Sequence, residues 1–572
     1  MKPGTLMCGS ILGALVLMAA PAQAQTGPAI PHLEKRGTVT QLIVDGKPYL
    51  ALAGELGNNT ASTIENVRPY WSNLASNNLN TALVGVGWSW IEPQEGKFDF
   101  KVVDGLIEAA RQHDLRLMLL WFASWKNGTS SYCPAWVKKD FERFPIARDK
   151  DGKGREILST LSEANWNADA RAFAALMRHV RQVDGRKHTV IMIQVENEVG
   201  LLGDSRDRCP AANDAFAKLV PKELMDYLQQ HKDALLPEFR KIWEAAGFKS
   251  SGTWEDVFGA GTQADEIFMA WHYARYLDRV AEAGKKYYAL PMYVNAWIVQ
   301  PQDTQPGDYP SGGPQDHMHD IWRAGAPHID VLAPDIYLSN FAEIAARYSR
   351  SGNPLFIPET RADPANLFLA VGHLNAMMFS PFGIERQSDA DSLLARSYGA
   401  LSQLAPLILA NQGKATMESV VLDTNSPAQK LSLGNYTLNI TMARGRRGGT
   451  PPTAAAPAAV GGGGRGGGAA GAGGGFGQAQ APTRGFGIFI VVGPDDYWVA
   501  GSGLSINADA NATETPLASL ASVEEGTFKD GRWVVERHLA GDDTGQGGGQ
   551  RAVLRLPTDR VSILRVKYYR YR

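Results

Sequence analysis

Two glutamates stand where short apolar segments end in polar residues. Glu198 follows the segment VIMIQVEN, and Glu359 follows PLFIP and precedes Thr-Arg. Two carboxyl groups can cleave a glycosidic bond, because one protonates the leaving oxygen while the other attacks the anomeric carbon or activates water. Burial beside a second carboxylate keeps one of them protonated near neutral pH. The alternative is that each glutamate is a salt-bridged structural residue.

A parallel barrel would bring these glutamates together. Eight short apolar runs follow one another along the chain, separated by segments with helical spacing of apolar residues, such as 102–113. The runs cover residues 48–53, 80–86, 115–122, 189–196, 291–297, 330–337, 354–360 and 377–382. Continuous apolar runs are typical of strands buried on both faces, so the pattern predicts an α/β fold of the (β/α)8 TIM-barrel type. Glu198 and Glu359 then end strands four and seven, at the face where barrel enzymes carry catalytic residues.

Further polar and aromatic residues are expected around the mouth of this barrel. Asn and Glu reach sugar hydroxyls, while Trp offers a flat apolar face to the C–H side of a pyranose. The candidate substrate-binding residues at strand ends are Glu55, Trp125, Asn127, Asn295, Trp297 and Tyr337. Tyr337 can donate a hydrogen bond to Glu359, and Asp335, two residues earlier, can point the same way. For each Trp a packing role is the alternative, and Glu55 is open to a structural role.

Composition and charge restrict the possible partners. The 572 residues are 44% hydrophobic and 20% charged, which is typical of a globular chain. Lys and Arg number 57 against 59 Asp and Glu, a net charge of -2, which argues against a nucleic-acid or anionic-membrane partner. The sequence has no phosphate-binding loop, dinucleotide fingerprint or clustered metal-ligand motif, so no cofactor and no metal are predicted.

Composition also divides the chain into segments. Residues 1–24 have the layout of a cleaved signal peptide, which predicts export to the periplasm or the medium of a bacterium and a mature protein that is not held in a membrane. The barrel is predicted over 30–385, with a helical insertion at about 200–290. Residues 386–572 are predicted to form one β-rich, β-sandwich-like domain or two small ones, interrupted by a glycine-rich low-complexity loop at 444–485.

The chain beyond the leader has two cysteines, Cys133 and Cys209. They follow strands three and four, so their loops are predicted to be neighbours at the barrel mouth. An oxidising compartment permits one disulfide between them. Two free thiols are the alternative, because spacing does not show whether the two Cα atoms approach closely enough.

Several short motifs add a resemblance to a known family. QVENEVG, around Asn197 and Glu198, is similar to the corresponding segment of glycoside hydrolase family 35 β-galactosidases. KNG at 126–128, PAWVK at 134–138 and IPETR at 357–361 resemble the bacterial branch of that family, which carries a C-terminal β domain. Val199 stands where many members have Tyr, which indicates a subgroup.

The resemblance implies roles for the site residues. Glu198 would be the general acid/base, Glu359 the nucleophile and Asn197 a ligand of the sugar 2-hydroxyl, with net retention. The implied protein is an enzyme, an exo-β-galactosidase acting on oligo- or polysaccharides, with xyloglucan side chains as one target. The alternatives are another retaining barrel glycosidase, such as an arabinopyranosidase or a mannosidase-like enzyme, and a non-catalytic carbohydrate-binding protein.

Overall fold

A computed structural model describes Met1 and residues 29–443, 484–545 and 551–572. Apart from Met1, the predicted leader at 1–24 lies outside the described residues, and so does nearly all of the glycine-rich loop at 444–485. A small antiparallel sheet opens the described chain. Its strands are β1 (His32–Arg36), β2 (Val39–Val44) and β3 (Lys47–Tyr49).

Eight parallel strands close a barrel, which confirms the predicted α/β barrel. They are β4 (Ala51–Glu55), β5 (Thr81–Gly87), β6 (Arg116–Lys126), β9 (Val190–Asn197), β10 (Met292–Trp297), β11 (Val331–Ile336), β12 (Ile357–Thr360) and β13 (Met378–Pro381). A hairpin of β7 (Ile146–Arg148) and β8 (Gly154–Leu158) lies between β6 and β9 along the chain. The barrel strands are almost completely buried, because one face fills the interior and the other packs on helices.

The helices follow the strands and cover the barrel. They are α1 (Ile64–Val67), α2 (Trp71–Ser76), α3 (Trp88–Ile91), α4 (Lys101–Gln112), α5 (Ala135–Lys138), α6 (Glu163–Asp184), α7 (Pro210–Phe216), α8 (Lys222–Gln230), α9 (Pro237–Ala245), α10 (Trp254–Phe258), α11 (Thr262–Lys285), α12 (His319–Gly325), α13 (Phe341–Tyr348), α14 (Pro364–Phe368) and α15 (Leu393–Asn411). Short 3-10 turns cover Arg68–Tyr70, Asp316–Met318, Arg350–Gly352, Ile384–Arg386 and Gly541–Thr544, and a π-helical turn covers Leu369–His373. The amphipathic α4 shows the general rule, since it buries its apolar face, Val103, Leu106, Ile107 and Ala110.

The long connection between β9 and β10 contains five helices, α7 to α11. The last of them, α11, packs along α6 and acts as a helix of the barrel itself. The shorter α7 to α10 form an additional layer, whose large aromatic side chains, such as Trp243 and Trp254, are completely buried. This layer packs against α11 and α12.

Helix α15 packs on the barrel. It is the helix that follows the eighth strand, and the Tyr398 hydroxyl donates a 2.8 Å hydrogen bond to the carbonyl oxygen of Ala53 in β4. Leu394, Leu401 and Leu404 are buried against the barrel. Among the described residues α15 is long and apolar enough to span a membrane by length and composition, but its apolar face packs on the barrel. The contacts of α15 are with the barrel, while the predicted boundary at residue 385 stays a prediction.

The C-terminal part is an antiparallel sheet of ten strands, and its inward-facing side chains form a core of their own. Its strands are β14 (Met417–Leu422), β15 (Ala428–Leu433), β16 (Tyr436–Met442), β17 (Gly485–Gly493), β18 (Asp496–Ser502), β19 (Leu504–Ala510), β20 (Leu517–Lys529), β21 (Arg532–His538), β22 (Leu554–Arg555) and β23 (Ser562–Tyr571). The order is β14-β17-β18-β23-β20-β19-β16-β15, with β21 paired to β20 and β22 to β19.

This sheet packs on the barrel with one face. Alternate residues of β17, Phe486, Ile488 and Ile490, join the barrel core, while Phe489 between them faces the sheet's own core. The Arg484 guanidinium also forms a 2.7 Å ion pair with Asp363 at the start of α14. The domain is thereby attached to the barrel through both apolar and charged contacts.

Candidate active site

The end of β9 turns sharply at the residues predicted to carry chemistry. Asn197 ends the strand, and the backbone is left-handed at both Glu196 (φ 61°) and Glu198 (φ 46°). Non-glycine residues rarely adopt this region, and each such residue costs about 1–3 kcal/mol. The turn sends two acidic side chains to different surroundings. Strain of this kind is found preferentially at functional sites.

Three carboxyl groups meet at the barrel mouth. One oxygen each from Glu198, Asp335 and Glu359 lies within 4.8 Å of the others, and all three residues are buried. Asp335 and Glu359 are direct neighbours in register on β11 and β12. We call these three residues the mouth cluster. Oxygens this close are compatible with the ~5–5.5 Å separation of the two carboxyl groups in retaining glycosidases.

Burial and neighbouring charges change the pKa values at the barrel mouth. Burial, followed by the negative charge of Glu359, raises the pKa of Glu198 to about 7, while Lys126 acts in the opposite direction. Burial and neighbouring carboxylates also hold the pKa values of Asp335 and Glu55 well above their usual range. Glu198 therefore has the protonation behaviour that a general acid needs near neutral pH.

Tyr337 contacts Glu359 as predicted. Its hydroxyl donates a 2.6 Å hydrogen bond to Oε1 of Glu359. The second oxygen of Glu359, Oε2, is buried and receives no hydrogen bond from the described residues. Arg361, two residues further, donates through Nε to the carbonyl oxygen of Tyr337. One oxygen of Glu359 is thus fixed while the other remains available to a substrate.

Two side chains hold the end of β9 in place. Oδ1 of Asn295 accepts a 3.0 Å hydrogen bond from the backbone N–H of Glu198, and its Nδ2 donates to Asp335 at 2.7 Å. Nζ of Lys126 donates to Oδ1 of Asn197 at 2.8 Å. Nδ2 of Asn197 is then buried without an acceptor among the described residues, so it can donate to a bound hydroxyl.

Sequence reasoning missed Lys126 as a site residue. The residue ends β6 and its side chain is buried, although lysine is rarely buried unless it is paired. Its charge lowers the pKa values of Glu198 and Glu55. The available signal was its position: Lys126 closes an apolar strand in the same way as Glu198 and Glu359.

Glu196 lies outside the mouth cluster although it is two residues from Glu198. Its carboxylate accepts hydrogen bonds from the backbone N–H groups of Ala123 (3.3 Å), Ser124 (3.0 Å) and Trp125 (2.8 Å) in β6. Burial and the neighbouring Asp169 raise the pKa of Glu196 well above its usual range. We call Glu196 and Asp169 the inner cluster.

The remaining predicted residues differ in exposure: Glu55 and Trp125 are completely buried, whereas Asn127 and Trp297 are partly exposed. Glu55 ends β4 and is completely buried, with Oε1 unpartnered among the described residues and Glu359 as the neighbouring charge with the strongest effect on its pKa. Trp297 ends β10 and is half-buried, and Asn127 lies partly buried with φ 52° in the turn after β6. Trp125 is a correction: its indole is fully buried and packs edge-on against Tyr273 and Tyr276, so it offers no open face to a sugar.

The two cysteines are free, so the disulfide allowed by the sequence does not form. The Cys133 thiol donates to the carbonyl oxygen of Ala123 at 3.3 Å, whereas Sγ of Cys209 contacts Asp207 at 3.3 Å and Ser159 at 3.6 Å. Each thiol is buried among its own partners. Neighbouring loops did not bring the two sulfur atoms together.

The acidic oxygens of the mouth cluster are also the group, among the described residues, whose spacing would suit a metal ion. The surrounding donors argue for another use of these oxygens. Tyr337 already occupies one oxygen of Glu359, and the raised pKa values of Glu198 and Asp335 favour protons on their carboxyl groups.

Comparison with known proteins matches two parts of the chain. Residues 67–246 match the family model of glycoside hydrolase family 42, described as beta-galactosidase. Residues 394–549 match a domain of unknown function, DUF5597. A curated beta-galactosidase from Xanthomonas manihotis is 30% identical over 213 residues, which are 35% of this chain and 32% of that protein. The chain thus matches about a third of the length of this relative.

Solved structures give weaker similarity. A beta-galactosidase from Bacillus circulans sp. alkalophilus has a TM-score of 0.43 at 15% identity, over 63% of this chain and 57% of that one. The beta-galactosidase from Rahnella sp. R3 has a TM-score of 0.42 at 16% identity, over the same shares of the two chains.

The family 42 model and the curated relative both indicate a glycoside hydrolase of the β-galactosidase-like class. The family 42 match covers β5, β6 and β9, and it therefore includes Glu198. The predicted membership of family 35 is not confirmed, because the glycoside hydrolase model that matches the chain is that of family 42.

Proposed function

We propose that the protein is a retaining exo-β-galactosidase that hydrolyses terminal β-D-galactosyl residues. The observation that carries the proposal is the mouth cluster: Glu198 and Glu359 have oxygens within 4.8 Å of each other, and the pKa of Glu198 is raised to about 7. The carbohydrate is the proposed partner, and the chemistry uses the chain's own side chains.

The first step forms a covalent galactosyl-enzyme. Oε2 of Glu359 attacks the anomeric carbon while the bond to the leaving oxygen breaks, and that oxygen takes the proton of Glu198. The hydrogen bond from Tyr337 to Oε1 orients the nucleophile with Oε2 toward the sugar. Glu198 ends this step as a carboxylate, and Glu359 becomes an ester.

The second step releases galactose. The Glu198 carboxylate accepts a proton from water as the water oxygen attacks the anomeric carbon, and the bond to Glu359 breaks. Two displacements at one carbon restore the β configuration. Glu198 regains its proton and Glu359 its charge, so both residues return to their starting states.

Several neighbours can hold the sugar. Nδ2 of Asn197 has no acceptor among the described residues and is proposed to donate to the 2-hydroxyl. Glu55 and Asn127 are proposed to bind other hydroxyls, and Trp297 to stack on the ring. Asn295 contributes indirectly, since its amide already bridges the backbone of Glu198 and Asp335.

The proposal is tested with a panel of nitrophenyl glycosides and an anomer assay. We expect the highest kcat/KM for β-D-galactoside and β-galactose as the first product by NMR. A preference for α-L-arabinopyranoside or β-D-mannoside would redirect the substrate assignment while keeping the retaining site. α-Galactose as the first product, or no turnover of any glycoside, would contradict the mechanism or the enzymatic function.

We also propose xyloglucan side chains as a natural target and export as the route to it. Terminal β-galactosyl residues of such side chains would be accessible to an exo-acting enzyme outside the cell. Galactose should be released from galactosylated xyloglucan oligosaccharides, with the same oligosaccharides lacking galactose as the control. Mass spectrometry of the N-terminal peptide of the protein recovered from the periplasm or medium should identify Gln25, free or as pyroglutamate, as the first residue, and a protein retaining Met1 would contradict cleavage after Ala24.

A further inference from the structure

Asp335 occupies a central position in the site without a role in the two steps above. It lies in β11, paired in register with Trp297 on one side and Glu359 on the other. Its side chain is buried, and one of its oxygens lies within 4.8 Å of oxygens of both Glu198 and Glu359. A buried carboxylate is costly unless it is paired or hydrogen-bonded.

The two oxygens of Asp335 have different surroundings. Oδ2 accepts a 2.7 Å hydrogen bond from Nδ2 of Asn295. Oδ1 is buried and receives no hydrogen bond from the described residues. An ionised carboxylate would leave a negative oxygen there without a donor, whereas a neutral carboxylic acid would turn that oxygen into a donor facing acceptors.

We propose that Asp335 is a positioning residue for Glu198: as a neutral carboxylic acid it accepts from Asn295 at Oδ2 and donates from Oδ1 to the Glu198 carboxylate. Asn295 also accepts a hydrogen bond from the backbone N–H of Glu198. Asn295 therefore holds the main chain of Glu198, while Asp335 would hold its side chain. The inference rests on the proposed function, because it assigns Glu198 the acid/base role.

The charges facing Asp335 favour its neutral form. Burial and the carboxylates of Glu359, Glu198 and Glu55 raise the pKa of Asp335 well above its usual range. The cation that faces the cluster is Lys126, whose charge lowers the pKa values of Glu198 and Glu55. Burial raises the pKa values of the nearby phenols of Tyr293, Tyr337 and Tyr348, so these groups stay neutral and add no charge beside Asp335.

A neutral Asp335 would act when Glu198 changes charge. After Glu198 gives its proton to the leaving oxygen, the Asp335 O–H donates to the new carboxylate and stabilises it. The Asp335 proton stays on its own oxygen throughout. The hydrogen bond therefore lowers the pKa of Glu198, in the direction found for this contact.

The decisive comparison is Asp335→Asn against Asp335→Ala. Asparagine can accept from Asn295 and donate to Glu198, so it reproduces a neutral carboxylic acid but not a carboxylate. We expect Asp335→Asn to keep kcat/KM within about fivefold and to leave the alkaline limb of its pH profile in place. Asp335→Ala loses the donor, so the limb should move upward by roughly 1 pH unit and kcat should fall about tenfold or more.

Two results would overturn the inference. A downward shift of the limb in Asp335→Asn would mean that a negative charge had been removed, and hence that Asp335 is ionised in the native protein. A fall in kcat for Asp335→Ala without any shift of the limb would reduce the residue to a structural support.

An infrared measurement needs no substrate and separates this inference from the proposed function. At a pH above the titration of Glu198, the infrared spectrum of the wild type minus that of Asp335→Asn should contain a protonated carboxyl band, because the other buried acids are present in both proteins and cancel. A difference spectrum without this band would overturn the inference even if the enzyme is a β-galactosidase. If the band is present but the protein hydrolyses no galactoside, Asp335 is neutral and only the proposed function is wrong. The Asn variant also keeps the test valid if Asp335→Ala does not fold.

Discussion

The mouth cluster and the inner cluster each include one glutamate from the end of β9, and these two groups of buried acids differ in their hydrogen-bond partners. In the inner cluster, Glu196 accepts hydrogen bonds from three backbone N–H groups. Asp169 accepts hydrogen bonds from the side chains of Trp121 (2.9 Å), Ser124 (2.5 Å) and Tyr276 (3.4 Å).

In the mouth cluster the partners are fewer. Oδ1 of Asp335 and Oε2 of Glu359 are buried with no hydrogen-bond partner among the described residues, as is Oε1 of the nearby Glu55. Native proteins rarely leave buried polar atoms unpaired without a functional reason. The difference teaches that burial and acidity do not distinguish a reactive carboxylate from a structural one, whereas unsatisfied oxygens do.

The largest effect is expected for Glu359→Gln. The amide is a poor nucleophile, so kcat/KM for a β-galactoside should fall by a factor on the order of 100,000. The melting temperature should stay the same or rise, because a negative charge leaves a group of mutually repelling acids. Glu343→Gln, an exposed glutamate of α13, is the matched control. Retention of activity in Glu359→Gln would remove this residue from the mechanism.

The next effect is expected for Glu198→Ala and depends on the leaving group. Loss of the general acid should cost roughly 100- to 10,000-fold for poor leaving groups, and about tenfold or less for dinitrophenyl galactoside, which departs without protonation. Azide needs no general base, so it should restore turnover and yield β-galactosyl azide. An equal loss for all leaving groups, without the azide product, would contradict the assignment.

Glu196→Gln should show the reverse pattern. Glutamine offers a single acceptor oxygen to three N–H groups and turns an NH2 group toward them, so we expect a loss of about 1–3 kcal/mol in the free energy of unfolding. The kcat/KM of the folded variant should stay within about tenfold of wild type, because Glu196 does not contact the mouth cluster. Urea unfolding followed by assays of the folded protein measures both quantities. Severe loss of activity at unchanged stability would erase the distinction between the clusters.

The pH dependence sharpens the comparison further. The alkaline limb of kcat/KM should lie near pH 7, because Glu198 must be protonated for the first step and its pKa is about 7. Lys126→Met removes the neighbouring positive charge and should move the alkaline limb to higher pH.

The raised pKa of Glu198 also makes the stability of the protein depend on pH. The folded protein binds the Glu198 proton more tightly than the unfolded chain does, so the resulting stabilisation is present below about pH 4.5 and is lost as pH rises through about 7. Glu198→Gln should lack that decline.

The smallest effect is expected far from both clusters. Deletion of residues 460–475 in the glycine-rich tract should leave kcat and the melting temperature nearly unchanged, because glycine and alanine side chains contribute little apolar burial. Thermal unfolding and galactoside assays of the deletion variant provide the check. A large drop in melting temperature would indicate that the tract packs against the folded domains.

The barrel and its acidic pair were accessible from the sequence because their signal is local. Strands buried on both faces require continuous apolar runs, and the polar residue that ends each run marks the barrel mouth. Glu198, Glu359, Asn295 and Tyr337 were all found in this way, and they contact one another or the same neighbours.

The failures have a common physical cause. Trp125 packs against Tyr273 and Tyr276 of α11, about 150 residues further along the chain. The sequence pattern around Trp125 does not predict a contact with residues so far away. Cys133 and Cys209 lie in neighbouring loops, but a disulfide also requires that both side chains point toward each other.

The sequence by itself determined the order of the strands, the presence of two carboxyl groups at strand ends and the change to β structure after the barrel. These properties follow from periodicity and from which residues stand next to each other in the chain. Tertiary structure decided that Glu198 joins Asp335 and Glu359 while Glu196 turns to β6, and that Lys126 lies buried among them. Proton affinities depend on burial and on charges a few ångströms away, and these distances exist only after strands far apart in sequence have closed into a barrel.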